Sequence, residues 1–267
     1  MAGKIRIGVG GWTFEPWRGV FYPETLKQKE ELAYASRKLT AIEINGTYYS
    51  TFRRDSWKKW RDETPDEFVF TIKGSRFTTN RRELASAGES LQRFFAQGMA
   101  ELGARLGPVF WQLPHTKKFN EADLDAFFGL LPKSLEGRPL RHALEPRHAS
   151  FCTPAYPQLL RKHGIGNVYA KHATYPEIAD VTADFVYARL QTGDDEVESA
   201  YPPAELDAWS DRLKSWAAGG APAGLPIIDP GHAPPKTPRD VFAFIIHEGK
   251  VRAPAGAMAL IERVGGG

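Results

Sequence analysis

The chain has 267 residues, a net charge of +3, 42% hydrophobic residues and 25% charged residues. This is ordinary globular composition, and so weak a positive charge does not indicate a dedicated nucleic-acid-binding domain. The single cysteine, Cys152, excludes an intramolecular disulfide. No stretch approaches the roughly 18 apolar residues of a membrane span, and the N-terminal sequence lacks the apolar core of a signal peptide. We therefore expect a cytoplasmic protein that does not enter the membrane.

Short β-rich runs alternate with amphipathic helices along the chain, which predicts parallel strands covered by helices. The predicted strands are residues 5–8, 41–45, 68–73, 108–113, 142–145, 167–170, 185–190 and 241–246. The predicted helices are residues 29–37, 55–62, 83–106, 120–131, one starting at Thr153-Pro154, 203–218 and 255–263. The connection after the sixth strand carries no clear helix pattern.

Eight such units in a chain of this length favour a single (β/α)8 barrel domain over residues 1–267. An open dinucleotide-binding sheet is the alternative, but Trp12 follows Gly8-Val9-Gly10-Gly11 where a helix should begin. Residues 219–240 contain six prolines and four glycines, so we expect a surface excursion there, at the bottom of the barrel and without a catalytic role.

The C-terminal ends of barrel strands and the loops after them form the functional site in this fold. Applied to the predicted strands, this rule selects a ring of polar and aromatic residues. We predict four catalytic residues, Glu43, Lys73, Glu145 and His148. We predict six substrate-binding residues, Trp12, Asn45, Tyr48, Gln112, Arg147 and Arg189.

The segment Glu145-Pro146-Arg147-His148 combines a carboxylate, a guanidinium and an imidazole, which together could supply a base, an anion clamp and a titratable acid. The structural alternative is an ion pair of Glu145 with Arg147 or Arg189. Lys73 could bind an anion or form a Schiff base if burial lowered its pKa. The structural alternative is an ion pair of Lys73 with Glu43 or Glu145.

Metal and nucleotide motifs give no further assignment. His148, His172 and His247 follow three different strands, but no HxH or HExxH spacing is present, so no metal ligand is predicted and any cofactor is unknown. The chain also lacks a P-loop and a GxSxG nucleophile elbow.

Several of these segments resemble one family. The run Ile7-Gly8-Val9-Gly10-Gly11-Trp12, the run Glu43-Ile44-Asn45-Gly46-Thr47-Tyr48-Tyr49, and Gln112-Leu113-Pro114 are similar to motifs of the DUF72, or YecE-like, family. Glu145-Pro146-Arg147-His148 and residues 184–190 extend the resemblance to most of the chain. The resemblance implies a TIM barrel, and it implies that the site residues predicted above are shared with the family. It implies no particular reaction.

The chain departs from the family pattern in its second half. Phe151 stands where the family usually has tryptophan, and Gln191 stands where it has histidine. Ala170-Lys171 and Ile245-Ile246-His247 replace an alanine-aspartate step and a phenylalanine-asparagine-asparagine run. The resemblance therefore implies no metal or acid/base role for residues of strands six to eight.

We expect an enzyme that uses acid/base chemistry on a small polar or anionic substrate, sugar- or phosphate-bearing, with Glu43 and Glu145 as base and acid. The alternative is a nucleic-acid-binding or processing protein, based on the basic clusters and the aromatic residues near strand one. A third hypothesis is a non-catalytic scaffold, whose polar ring should be closed by its own ion pairs and leave no pocket.

Overall fold

The computed structural model describes residues 2–265 and contains a closed barrel of eight parallel strands. The strands are β1 (Ile5–Gly10), β2 (Ala41–Ile44), β3 (Val69–Lys73), β4 (Leu106–Gln112), β5 (His142–Glu145), β6 (Gly166–Lys171), β7 (Phe185–Thr192) and β8 (Asp240–Glu248). Each strand pairs with the next along the chain, and β8 closes onto β1 with Val241 opposite Ile5. The predicted fold class is confirmed.

Helices cover the outside of the barrel. Over residues 2–265 they are α1 (Glu31–Ala35), α2 (Arg54–Glu63), α3 (Arg76–Thr79), α4 (Gly88–Phe95), α5 (Glu121–Leu130), α6 (Ala155–His163), α7 (Pro203–Ala217) and α8 (Ala253–Gly265). Asn120 caps α5 as predicted, because its side-chain oxygen accepts the backbone N–H of Asp123 at 3.1 Å. No helix among residues 2–265 is both long and apolar enough to cross a membrane.

The prediction of one helix over residues 83–106 is wrong. The chain forms a short 3-10 turn, Leu84–Ser86, then α4, and then a 3-10 segment, Met99–Arg105. Gly98 and Gly103 interrupt the helix with φ angles of 94° and 60°, which lie in the left-handed region. The apolar helical spacing therefore belongs to two short pieces that pack on the barrel, separated by glycines.

The connection between β6 and β7, residues 172–184, contains no helix. Its irregular backbone is stabilised by side chains instead: the Asn167 amide donates to the carbonyl oxygen of Ile178 at 2.7 Å, and the hydroxyl of Thr182 accepts the Asn167 N–H at 2.8 Å. The weak helix pattern in this part of the sequence therefore corresponds to a real gap in the helical layer.

The proline- and glycine-rich stretch, residues 219–239, is irregular but anchored. The buried Asp180 carboxylate accepts the backbone N–H groups of Ile228 at 2.8 Å and Asp229 at 3.0 Å. Arg161 pairs with Asp229 at 2.6 Å, and the buried Arg239 donates to three carbonyl oxygens within the stretch. The excursion therefore packs against the irregular connection that precedes β7.

Alternation along the strands positions the site. Inside the barrel the ring of Tyr187 packs on Phe110 and Phe244, with centroid separations of 5.1 and 5.3 Å. Successive residues of a strand face opposite sides, so residues two positions further along face inward again. Gln112 and Arg189 occupy such positions above Phe110 and Tyr187, at the C-terminal end of the barrel. The apolar filling of the barrel therefore ends in a polar layer at its mouth.

Candidate functional site

Arg189 is the centre of the polar layer. It is 4% exposed, and Glu43 and Glu145 on either side of it are fully buried. Its Nε and Nη2 donate to Glu43 at 3.1 and 3.0 Å, and its Nη1 donates to Glu145. The Tyr187 hydroxyl adds a further hydrogen bond to Glu43 at 2.8 Å. One guanidinium therefore joins carboxylates from β2 and β5, on opposite sides of the barrel.

The environment of Glu145 keeps it ionised. Burial alone would raise the pKa of this carboxyl, but the neighbouring Arg189 and Arg147 outweigh burial and lower the pKa to about 2. Arg147 Nε donates to Glu145 at 2.6 Å. The structural alternative, an ion pair of Glu145 with Arg147 or Arg189, is therefore present with both partners.

Three cationic groups converge on one amide oxygen. Gln112 Oε1 accepts from Arg147 Nη2 at 2.8 Å, from Lys73 Nζ at 3.0 Å and from Arg189 Nη1 at 3.3 Å. An amide oxygen has two lone pairs, so three charged donors cannot all be well satisfied by it. The site therefore has more N–H donors than its described acceptors can satisfy.

Lys73 is the least neutralised of the three cations. Burial, together with the charge of Arg189, lowers the pKa of its ammonium to about 8. Within residues 2–265 it forms no salt bridge; its contacts are Gln112 and the face of the Tyr48 ring, 4.6 Å from its nitrogen. The expected alternative, pairing of Lys73 with Glu43 or Glu145, is not what the structure contains.

A cavity of about 660 Å³ opens above this layer. Six of the predicted residues line it: Asn45, Tyr48, Lys73, Gln112, Arg147 and Arg189. Residues outside the predicted set also line it, among them Tyr49, Gln191, His247 and Lys250. The ion pairs therefore do not close the barrel mouth, in contrast to what the scaffold hypothesis requires.

Four predicted residues do not line this cavity. Glu43 and Glu145 lie beneath it, where they hold the arginines. Trp12 packs on Trp60 and Phe70, with ring centroids 5.1 and 6.2 Å away. His148 Nδ1 accepts the backbone N–H of Ser150 at 3.1 Å and so caps the turn after β5. The catalytic roles of Glu43, Glu145 and His148 and the substrate-binding role of Trp12 stay predictions.

Histidines meet at the far rim of the mouth. The His172 ring stacks on the Tyr175 ring at 4.1 Å and lies 5.3 Å from the His247 ring. The Arg147 guanidinium lies 4.4 Å from the centroid of the Tyr175 ring. His247 has a φ of 74°, an uncommon backbone conformation for a residue with a side chain. In the part of the chain that the structure describes, no group of three or more histidine, cysteine or acidic side chains is placed to hold a metal ion.

Two lining residues were not part of the predicted site. Gln191 is 1% exposed, and its Nε2 has no hydrogen-bond partner among the described residues. It lies at the C-terminal end of β7, two residues beyond Arg189 and on the same face, so the rule that strand ends form the mouth reaches it. Lys250 lies beyond β8 and packs 4.0 Å from the Phe14 ring, a contact between loops that no local pattern indicates.

Known proteins resemble this chain over most of its length. The family model described as "Protein of unknown function DUF72" matches residues 6–267. The UPF0759 protein YecE of Escherichia coli K12 is 28% identical over 147 residues, which are 55% of this chain and 50% of that protein. The match thus spans about half the length of this curated relative.

Two solved structures share the fold. A DUF72 family protein from Thermotoga maritima is 23% identical with a TM-score of 0.70, and the match covers 97% of both chains. A DUF72 family protein from Enterococcus faecalis is 15% identical with a TM-score of 0.71, and the match covers 98% of both. The chain belongs to the DUF72 family, as its motifs suggested.

Proposed function

We propose that this DUF72 family protein is an enzyme that binds a small anionic substrate, phosphate- or carboxylate-bearing, in the barrel mouth and uses Lys73 for proton transfer. The observation that carries the proposal is the convergence of Lys73, Arg147 and Arg189 on the single oxygen of Gln112. A bound anion would supply further acceptors to Lys73 and Arg147, and charge-assisted hydrogen bonds to such an anion are strong.

The charge balance of the site supports an anionic ligand. Three cations, Lys73, Arg147 and Arg189, face two carboxylates, Glu43 and Glu145, so the cluster carries a net positive charge when all five are ionised. Because these groups are largely buried, water screens that charge weakly. An anion in the cavity above them is therefore attracted more strongly than it would be at an exposed surface.

The roles divide between binding and proton transfer. Glu43 and Glu145 position the two arginines, because both carboxylates lie below the cavity and already accept strong hydrogen bonds. Lys73 is the group that can exchange a proton near neutral pH, since its pKa is lowered to about 8. This assignment moves the acid/base role expected for the two glutamates to Lys73. Asn45 and Tyr48 line the cavity beside it and would orient the substrate.

The sharpest test of anion binding is Gln112→Glu. This nearly isosteric change supplies a carboxylate to the three cations and neutralises the cluster. We expect the variant to melt at the wild-type temperature or above, and to lose the stabilisation that phosphate, sulfate, citrate or glucose 6-phosphate gives the wild type. At an anion concentration of 100 times Kd that stabilisation is about 2.7 kcal/mol. Gln28→Glu, on an exposed 3-10 turn, is the matched control.

Two results would overturn the binding proposal: a wild type that no anion stabilises, or a Gln112→Glu variant stabilised as much as the wild type. Catalysis is tested separately with Lys73→Arg, which keeps the charge but cannot release a proton near pH 8. We expect it to keep anion binding and to lose turnover of the stabilising ligand, followed by NMR. Equal turnover by Lys73→Arg and wild type would refute the role of Lys73.

A further inference from the structure

Two exposed aromatic rings flank an arginine at the edge of the mouth. Tyr49 is 61% exposed and Phe77 is 63% exposed. The Arg76 guanidinium lies 5.7 Å from the Tyr49 ring and 5.3 Å from the Phe77 ring. We call these three residues the aromatic rim. Large rings exposed side by side cost hydration free energy, and such clusters commonly mark binding surfaces.

The aromatic rim is continuous with the mouth. The Tyr49 ring contacts the Tyr48 ring edge-on at 5.0 Å, and the Tyr48 ring lies under the Lys73 ammonium at 4.6 Å. From the inside outwards, cations and rings thus succeed one another: Lys73, Tyr48, Tyr49, Arg76 and Phe77. A ligand that alternates negative groups with flat rings would match this order along its length.

The loops that carry these residues are strongly basic. Residues 45–54 and 73–82 together contain six lysines and arginines and no aspartate or glutamate. The whole chain has a net charge of only +3, so the rest of the molecule carries a net negative charge. Arg54 is directed elsewhere, to Glu101 and Glu136, whereas Arg81 borders the cavity beside the rim. The positive potential is therefore concentrated on one side of the mouth.

A second cavity, of about 520 Å³, adjoins the aromatic rim between the segments that follow β2 and β3 and helix α4. Phe77 and Phe94 provide apolar surface, and Ser50, Thr51 and Ser75 provide hydroxyl groups. An apolar surface edged by hydroxyls suits a flat ring that carries polar atoms at its edge, such as a nucleobase.

We propose that the aromatic rim binds single-stranded nucleic acid, with bases stacked on Tyr49 and Phe77 and phosphates on Arg76 and Arg81. Stacking on exposed rings together with arginines along the backbone is how proteins bind single strands without reading sequence. A duplex keeps its bases stacked inside, and an anionic polysaccharide has no flat aromatic ring, so neither uses both features. This proposal goes beyond the anion site and does not depend on it.

The test measures the fluorescence anisotropy of a labelled thymidine single strand of about twelve nucleotides on titration with the protein. Loss of one stacked base typically costs 1–3 kcal/mol, which corresponds to about a 5- to 150-fold weaker Kd. We expect Tyr49→Ala and Phe77→Ala each to weaken binding by that factor and Tyr49→Phe to retain it. Leu130→Ala, which truncates an exposed side chain at the far end of α5, is the matched control.

Salt dependence tests the phosphate contacts. For single strands, log affinity falls with log salt by about 0.7 per phosphate contact, so Arg76→Gln should reduce the slope by about that amount. Heparin and a duplex of equal length serve as competitors that carry charge without accessible bases, and we expect both to compete weakly. Equal binding by the alanine variants and the wild type, no binding at all, or stronger binding of heparin or duplex would each overturn the proposal. Because Gln112→Glu leaves the rim intact, failure of the anion site would not affect this result.

Discussion

Replacement of Arg189 by methionine tests whether this residue holds the barrel mouth together. Methionine keeps much of the apolar length of the side chain but leaves Glu43 and Glu145 without their shared partner. Removing one member of a buried ion pair typically costs 3–5 kcal/mol, because the remaining charge stays buried and uncompensated. For a chain of this size that corresponds to a fall in melting temperature of about 10 °C.

The pKa of Glu145 gives a second route to the magnitude. A carboxyl whose pKa falls from 4.5 when unfolded to about 2 when folded contributes about 3 kcal/mol at neutral pH. A lowered carboxyl pKa stabilises the fold above the unfolded pKa, and that stabilisation is lost as pH falls through the folded pKa. Most of this contribution should therefore disappear between about pH 4.5 and pH 2. In Arg189→Met, burial opposes ionisation of Glu145, and only Arg147 and Lys73 remain to favour it, so the pH dependence should weaken or reverse.

The assay is urea unfolding of wild type and Arg189→Met at pH 7 and at pH 3. The difference in unfolding free energy between the two proteins should be smaller at pH 3 by about 2 kcal/mol. Comparing the two differences cancels the carboxylates that Arg189 does not contact. Arg189→Lys keeps a charge and should lose less, and Arg93→Met, whose partner Glu89 is exposed, should be near-neutral. A destabilisation by Arg189→Met that is the same at both pH values would refute this account.

Three further predictions concern other parts of the molecule. Gly8→Ala should lower the melting temperature strongly, because the added Cβ would lie 1.8 Å from a backbone oxygen of β2. Gly129→Ala in α5 is the control, since its added Cβ meets nothing within 4 Å and should be neutral or stabilising. Equal melting temperatures of the two variants would contradict this prediction. Asp180→Ala should make residues 219–239 cleavable by a protease at low concentration, because two backbone N–H groups lose their acceptor. Asp184→Ala, at an exposed position, is the control. Identical cleavage of the two variants would count against the anchoring role of Asp180. The side-chain amine of Lys73 should react with acetic anhydride at a lower pH than the other lysines, because burial and the charge of Arg189 lower its pKa to about 8. Mass spectrometry of the acetylated protein should give a midpoint of reaction near pH 8 for Lys73. A midpoint above pH 10 would show that the pKa of Lys73 is not lowered.

The strand positions could be predicted because each buried strand is a short β-rich run that alternates with a helical segment. Helix boundaries were less predictable. Residues 83–106 have apolar residues at helical spacing, but Gly98 and Gly103 adopt positive φ angles, one just before the 3-10 segment Met99–Arg105 and one inside it, that prevent one continuous helix. A glycine inside an apolar helical pattern is compatible with either outcome, because its backbone freedom is used only when the surrounding packing demands it.

The site was predictable as a set of residues and not as a set of roles. The rule that strand ends form the mouth found Lys73, Gln112 and Arg189, because it depends only on fold class. It could not show that Glu145 lies beneath the cavity, or that three cations share the oxygen of Gln112. Those facts depend on side-chain directions across the barrel, between residues as far apart in sequence as Glu43 and Arg189.

The irregular connection before β7 has a consequence for the order of folding. Asp180 accepts hydrogen bonds from Ile228 and Asp229, which follow it by 48 and 49 residues. A helix in this place would form from local contacts alone, whereas this connection needs a long loop to close first, and long-range closure slows folding. During synthesis on the ribosome, β6 and the connection that follows it would stay incompletely folded until residues 228 and 229 have left the exit tunnel. This side of the barrel should therefore be the last to become protected against hydrogen exchange.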